Sequence, residues 1–244
     1  MQKYYEKIRG KEKMDKKYEF TGKTIEVCGR VLHRIKALRN FGFVQAGELG
    51  GFIEKEDNLS HEGNAWVFGN AKVYGNAQVH GNARVCDNAR VYGNAWIFDS
   101  AKVYGCAEIS GDARVYGNAW ISGSVKVYGD AKVYGCAEIS GSYGRARVRD
   151  NAEVYDKARI GDNAWVYGRA RVRDNAEVYD NAWVFGDAEV YGDAKVYDYA
   201  KICNNVRICD DAIISCNDDY IYFRGFGSEN RNTTMFRCAD DIMV

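Results

Sequence analysis

From Asn64 almost to Cys216 the chain repeats a six-residue unit, x-Ala-x-Val-x-Gly/Asp. Alanine and valine stand two apart, so on an extended backbone they point to the same side, and the residue between them points away. Gly, Asn and Asp then follow, residues that tolerate the left-handed conformations of a corner. Each hexad therefore predicts one very short strand plus one corner. Counting Val or Ile at the fourth position gives thirteen hexads from Val67 to Ile139 and twelve from Val148 to Ile214. The nine-residue step between Ile139 and Val148 marks three inserted residues around Ser142, Tyr143 and Gly144.

Alanine and valine enclose a narrow space, and three such sides close a triangular coil of eighteen residues. Stacked coils pair their strands in parallel at about 4.8 Å per rung. About eight coils would form a prism on the order of 40 Å long. The eighteen-residue coil can be checked against charge. Outward residues eighteen apart become rung neighbours, where opposite charges are favourable. Glu153, Arg171, Glu189 and Arg207 alternate in sign, as do Arg159, Glu177 and Lys195, and Arg90, Glu108 and Lys126. Trp165 and Trp183 fall on one column. A period of twelve would instead align Arg147, Arg159 and Arg171. The residue after each valine is usually aromatic, which predicts ring ladders along the prism edges.

The repeat gives a domain plan: a charged extension (1–13), an N-terminal β cap (14–57), the solenoid (58–216) and a C-terminal hairpin cap (217–244). Within the caps, Thr24–Val27 with Arg30–Ile35, and Tyr220–Arg224 with Thr234–Arg237, read as hairpins. Such segments cover the open edge of a terminal coil. The segment Gly144–Asp156 recurs as Gly168–Asp180, an offset of four hexads that carries the copies to different sides. Slippage indifferent to face suits a scaffold better than a fixed catalytic cleft.

Composition sharpens this picture. There is no proline among 244 residues, as expected where nearly every residue feeds a hydrogen-bonded ladder. Lys+Arg and Asp+Glu are both 34, which argues against a dedicated nucleic-acid binder. Lys3–Arg39 is locally basic, with twelve Lys/Arg against five Asp/Glu, and reads as a solvated tail plus cap. The eight cysteines form no CxxC pair, and the three histidines show no ligand spacing with them, so no metal or cofactor is expected. No apolar run approaches a membrane span, and the charged N-terminus carries no signal-peptide pattern; the expectation is a cytoplasmic protein.

The hexads, as in Val67–Ala71 and Val73–Ala77, resemble those of hexapeptide-repeat proteins. The resemblance implies an all-β, left-handed parallel β-helix, a three-sided solenoid with small β caps. The hand is implied by the resemblance alone, since parallel crossovers are ordinarily right-handed. More narrowly, Lys17–Thr21 (KYEFT), Gly50–Ser60 (GGFIEKEDNLS) and Gly227–Thr234 (GSENRNTT) resemble phage- and prophage-encoded repeat proteins of unassigned activity, often labelled transferases or polymer-forming proteins. Members of that group often continue past the point corresponding to Val244. The resemblance implies a non-enzymatic protein of a bacterial host cytoplasm that binds a host or phage macromolecule, a protein being the expected partner and inhibition of a host defence system one form. Self-association into a structural rod and CoA-dependent acyl transfer are the alternatives. For acyl transfer the general base would be His80, the one histidine inside the clear repeats. Candidate binding residues are Trp165 and Trp183, Tyr143 in the insertion, and Arg224, Gly225, Gly227, Ser228 and Arg231 in the C-terminal turn, where glycine backbone and arginine charge suit an anion.

Overall fold

In the computed structural model the structure describes residues 16–141, 144–226, 231–237 and 242–243, with side chains through Tyr220. The hexads form three parallel sheets that share one core. Face I carries Lys72, Arg90, Glu108, Lys126, Arg147, Trp165, Trp183 and Lys201 at its outward positions. Face II runs from Trp66 through Arg84, Lys102, Trp120, Glu138, Arg159, Glu177 and Lys195 to Ile213. Face III carries Gln78, Trp96, Arg114, Lys132, Glu153, Arg171, Glu189 and Arg207. Rungs are eighteen residues apart, except where Lys126 meets Arg147, Lys132 meets Glu153 and Glu138 meets Arg159, twenty-one apart. The inserted residues therefore lengthen one coil and leave the rungs beyond it on their faces. Two strands near the insertion, Trp120–Gly123 and Glu138–Gly141, extend into the corner and pair over four residues.

Each hexad sends three backbone hydrogen bonds to the next coil. Lys72 N–H donates to Ala89 O at 2.9 Å, Tyr74 N–H to Val91 O at 3.0 Å and Asn76 N–H to Gly93 O at 2.8 Å. The inward alanines and the Val or Ile residues are fully buried along the prism. Each buried valine contributes roughly 1.5–3 kcal/mol, so the core is a long stack of small, equal increments.

The solenoid makes about nine turns, one more than the clear hexads alone predict. The extra turn begins in the cap. Strands β1 (Tyr18–Val27) and β2 (Arg30–Ala37) form an antiparallel hairpin, and β2 pairs with β3 (Leu49–Ile53). The turn between β1 and β2 places Cys28 and Gly29 at φ of 51° and 72°, as a tight hairpin with right-handed twist requires. Strand β3 then joins face I in parallel, Phe52 beside Lys72, and Leu59 bridges Val79 on face III.

The Gly-Gly of this segment is a steric necessity. A Cβ on Gly50 would stand 2.7 Å from the Trp66 ring and 2.8 Å from Val67 O, and one on Gly51 2.6 Å from Ala71 O. Asn58 fastens the cap from within. Its buried side chain accepts from the N–H groups of Glu54 and Lys55, and donates to Gly75 O at 3.1 Å and Ala77 O at 2.8 Å. Trp66 occupies an outward position on face II and is nevertheless fully buried, because Tyr18 and Phe41 pack against its indole. Lys17 is buried with it, its Nζ donating to Ala65 O at 2.8 Å. Burial, aided by the charge of Arg39, lowers its pKa to about 8.

At the other end Asp219 accepts hydrogen bonds from the N–H groups of Ser215 and Cys216. Asn217 and Tyr220 return to the peptide groups of Lys201, at 2.8 Å and 2.5 Å. The strands Tyr220–Phe226, Arg231–Arg237 and Ile242–Met243 follow as an antiparallel sheet. The hairpin strands thus extend beyond the Tyr220–Arg224 and Thr234–Arg237 expected from the sequence.

Candidate binding surfaces

The regular hexad corners each use one residue at positive φ. Glycine fills it in much of the first half, and Asp87, Asp99, Asp150, Asp156, Asp162, Asp174, Asp180, Asp198 and Asp210, with Asn204, fill it elsewhere. Aspartate is tolerated because its short side chain can bond locally, and here it gains a partner on the next rung. Asp87 accepts from Gly105 N–H at 2.9 Å, Asp99 from Gly117 N–H at 3.1 Å and Asp174 from Gly192 N–H at 3.2 Å. Asparagines pair across rungs on two of the corners, Asn64 donating to Asn82 before face II and Asn76 to Asn94 before face III. These features explain most of the polar corner residues structurally.

The predicted ring ladders are present. On the edge after face III, Phe98, Tyr116, Tyr134 and Tyr155 stack with centroids 4.8–4.9 Å apart and planes within 5°. On the edge after face I, Tyr74 stacks on Tyr92 and Tyr167 on Phe185. Where arginine replaces an aromatic residue, its planar guanidinium takes the same place: Arg149 lies 4.3 Å from the Tyr167 ring centre and Arg173 4.2 Å from that of Tyr191. Each arginine also pairs with the adjoining corner aspartate, Asp150 or Asp174.

The charge columns are equally clear. Glu108 stands between Arg90 at 3.8 Å and Lys126 at 2.9 Å; Glu189 stands between Arg171 at 3.5 Å and Arg207 at 3.7 Å. These exposed pairs each contribute a few tenths of a kcal/mol, up to about 1 kcal/mol.

One outward strip departs from this charged pattern. On face I, Trp165 and Trp183 are direct rung neighbours, stacked at 5.2 Å with planes 9° apart. Arg147 covers one end of the stack, 4.5 Å from the Trp165 ring, and Lys201 the other, 5.2 Å from Trp183. The result is a four-rung run of cation, indole, indole and cation on the flat of the sheet, half-buried from Arg147 to Trp183 and exposed at Lys201. Both tryptophans were legible as candidates from their eighteen-residue spacing. The two flanking cations were not, because they occupy slots that elsewhere hold ordinary members of charge pairs.

His80 lies at the opposite end, in an open cleft of about 500 Å³ between the cap and the first coil. Its walls include Lys55, Glu56, Ser60, His61, Gln78 and His80 itself. His80 Nε2 bonds to the Gln78 amide oxygen at 2.8 Å, and burial, with the charge of Lys17, lowers its pKa. His61 was missed in the sequence, although it stands nineteen positions before His80, close to one coil. It stacks on Tyr18 at 4.3 Å, accepts the Lys17 N–H at Nδ1, and sits 3.8 Å from Glu56. Burial lowers its pKa, outweighing the nearby Glu56. His61 is therefore built into the cap, while His80 is oriented by an amide and not by a carboxylate. Among the described residues no cluster of three His, Cys, Asp or Glu side chains is arranged to hold a metal ion. No helix among them is long and apolar enough to cross a membrane.

Tyr143, Gly227 and Ser228 lie outside the described residues. Arg224 and Gly225 lie on the strand Tyr220–Phe226 and Arg231 opens the strand Arg231–Arg237, where Phe226 pairs with Arg231.

A family model described as the YdcK Beta solenoid repeat matches residues 83–105 and 107–123. Both stretches lie wholly within the stacked coils, and with the observed topology they identify a repeat β-helix protein. No curated protein matches the chain.

Proposed function

We propose that this chain is a non-enzymatic binding solenoid of the left-handed hexapeptide-repeat type, encoded by a phage or prophage, that docks a protein of the bacterial host cytoplasm. The observation that carries the reading is the run Arg147–Trp165–Trp183–Lys201. Tryptophan and arginine dominate the energetics of protein interfaces, since a flat ring desolvates a large area at little entropic cost. A flat β face presents the pair without backbone rearrangement, so little ordering opposes binding. The absence of net charge fits recognition by shape and aromatic contact more than by long-range steering. Inhibition of a host defence protein is a concrete form of this role, supported by the phage-type character of the cap motifs.

The test is affinity capture from bacterial lysate with the wild-type chain and with Trp165→Ala/Trp183→Ala, followed by titration of the captured protein. A partner held by the wild type should lose at least tenfold in affinity to the variant, as expected when about 2 kcal/mol or more of hot-spot contact is removed. Equal capture by both chains would refute the role of face I.

The cleft at His80 favours a second reading, a CoA-dependent acyltransferase. Calorimetry with CoA and acetyl-CoA addresses it: saturable heat that disappears in His80→Ala supports it, and no heat from either ligand rejects it.

A further inference from the structure

The edge ladder after face I has a missing member. Its successive residues are Tyr74, Tyr92, Ser110, Tyr128, Arg149, Tyr167 and Phe185, with Ser110 between two rings. A cavity of about 300 Å³ opens there, lined by Tyr92, Glu108, Ser110, Lys126, Tyr128 and Arg147. Tyr92 and Tyr128 belong to rungs two steps apart, about 9.6 Å at the β-sheet spacing. Rings on neighbouring rungs of this protein stack at 4.8–5.1 Å. The vacancy therefore has the thickness of one ring between Tyr92 and Tyr128.

At several other such gaps the fold fills the space from within. Arg149 and Arg173 insert guanidinium planes. At Gly161, on the edge after face II, the Tyr179 ring lies over the vacancy, and a Cβ there would meet it at 2.4 Å. Cys86, on the same edge, is itself buried. At Ser110 the space stays open.

Charge defines what belongs beside the ring. Lys126 and Arg147 are direct rung neighbours of like sign. Glu108 is engaged by Lys126 and Arg90, which leaves the cationic surplus on the Arg147 side. Arg147 Nε is buried without a hydrogen-bond partner.

We infer that the Ser110 slot binds a planar aromatic ring carrying an anionic group, the ring between Tyr92 and Tyr128 and the anion on Lys126 and Arg147. Nucleotides and aryl phosphates such as a phosphotyrosine side chain both present this chemistry. The site shares Arg147 with the tryptophan run but uses neither indole, and it does not depend on the reading of face I as a protein-docking surface.

Titration of the full chain with AMP, phenyl phosphate, adenosine and inorganic phosphate, followed by calorimetry and ligand-observed NMR, tests the site. At least one of AMP and phenyl phosphate should saturate at millimolar concentration or below, at least tenfold tighter than both adenosine and phosphate. The tighter of the two identifies the source of the ring. Ser110→Tyr supplies the missing ladder member from the chain itself. It should abolish binding while keeping or raising the thermal midpoint, because tyrosine occupies equivalent slots on either side. Tyr128→Ala removes one wall, and Lys126→Gln removes the charge but keeps the length; each should weaken binding at least fivefold. The inference is overturned if neither anionic ring saturates, if adenosine or phosphate binds as well as they do, or if folded Ser110→Tyr and Tyr128→Ala bind like the wild type.

Discussion

A single position in each hexad decides whether the chain can turn, and it does so by backbone conformation before any side-chain contact. Asp87 holds φ at 61° and repays the strain by accepting the Gly105 N–H. Asp87→Ala keeps the strained geometry and removes the acceptor, so urea denaturation should report a loss of about 1–3 kcal/mol. Asp87→Gly relieves the strain and should lose less, about 1 kcal/mol. Glycine corners are not equivalent to one another. A Cβ on Gly111 would stand 2.8 Å from Gly129 N and 2.9 Å from Gly129 O, whereas one on Gly69 has nothing nearer than Asp87 O at 3.6 Å. Gly111→Ala should therefore destabilise by about 2 kcal/mol or more. Gly69→Asp should fall within about 1 kcal/mol of wild type, since aspartate already serves as the corner residue on the next rung. Equal losses at the two glycines would show that φ alone, without the rung above, sets the cost.

At the scale of the element, the edge ladders convert a periodic sequence into a pH response. Burial raises the pKa of Tyr116, Tyr134 and Tyr155, that of Tyr134 to about 12, with neighbouring carboxylates adding to the effect at Tyr134. The folded state thus favours the neutral phenol. The corresponding stability is fully present below the unfolded tyrosine pKa of about 10 and is lost as pH rises through about 12. The thermal midpoint should hold to about pH 9.5 and fall between pH 10 and 12, in step with phenolate absorbance. Tyr134→Phe keeps the ring stack, so it should shallow that fall and leave the midpoint at pH 7 within a few degrees. A midpoint that falls as steeply in Tyr134→Phe would assign the alkaline loss to other groups.

The ladders also mark how far the sequence could be read. Side-chain direction on a strand and a fixed coil length are local properties, so the columns through Glu153, Trp165 and Arg159 follow from counting alone. The buried Trp66 did not, because its cover comes from Tyr18 and Phe41, which reach the first rung only after the cap folds back. For the same reason the cleft that unites His61 with His80 was invisible, and so was the part the cap strand plays in the ninth turn. The Ser110 vacancy was present in the eighteen-residue spacing, but a missing ring signifies a site only once its neighbours are shown to stack.

For the molecule as a whole, coil contacts are nearest-neighbour contacts, so stability and surface can be separated by the length of a deletion. All hexads place Ala and Val or Ile in the same core, and Gly144–Asp156 and Gly168–Asp180 share one sequence while lying a face apart: Glu153 is on face III and Glu177 on face II. Removing residues 102–119 excises one complete coil, joins Ala101 to Trp120, and leaves every later strand on its own face. Removing residues 153–158 excises one hexad, joins Ala152 to Arg159, and rotates everything after it by one face. Trp165 and Trp183 then remain stacked on each other but move from face I to face II, away from Arg147. Both deletions retain a continuous core and should fold, with circular dichroism of a β protein and thermal midpoints lowered by several degrees. If face I is the docking surface, the eighteen-residue deletion keeps partner affinity within a few-fold, and the six-residue deletion loses at least tenfold although no tryptophan has been removed. Retention of affinity by the six-residue deletion would show that the indole pair alone, without its face, is what the partner recognises. Failure of the eighteen-residue deletion to fold would show that the coils are not interchangeable units.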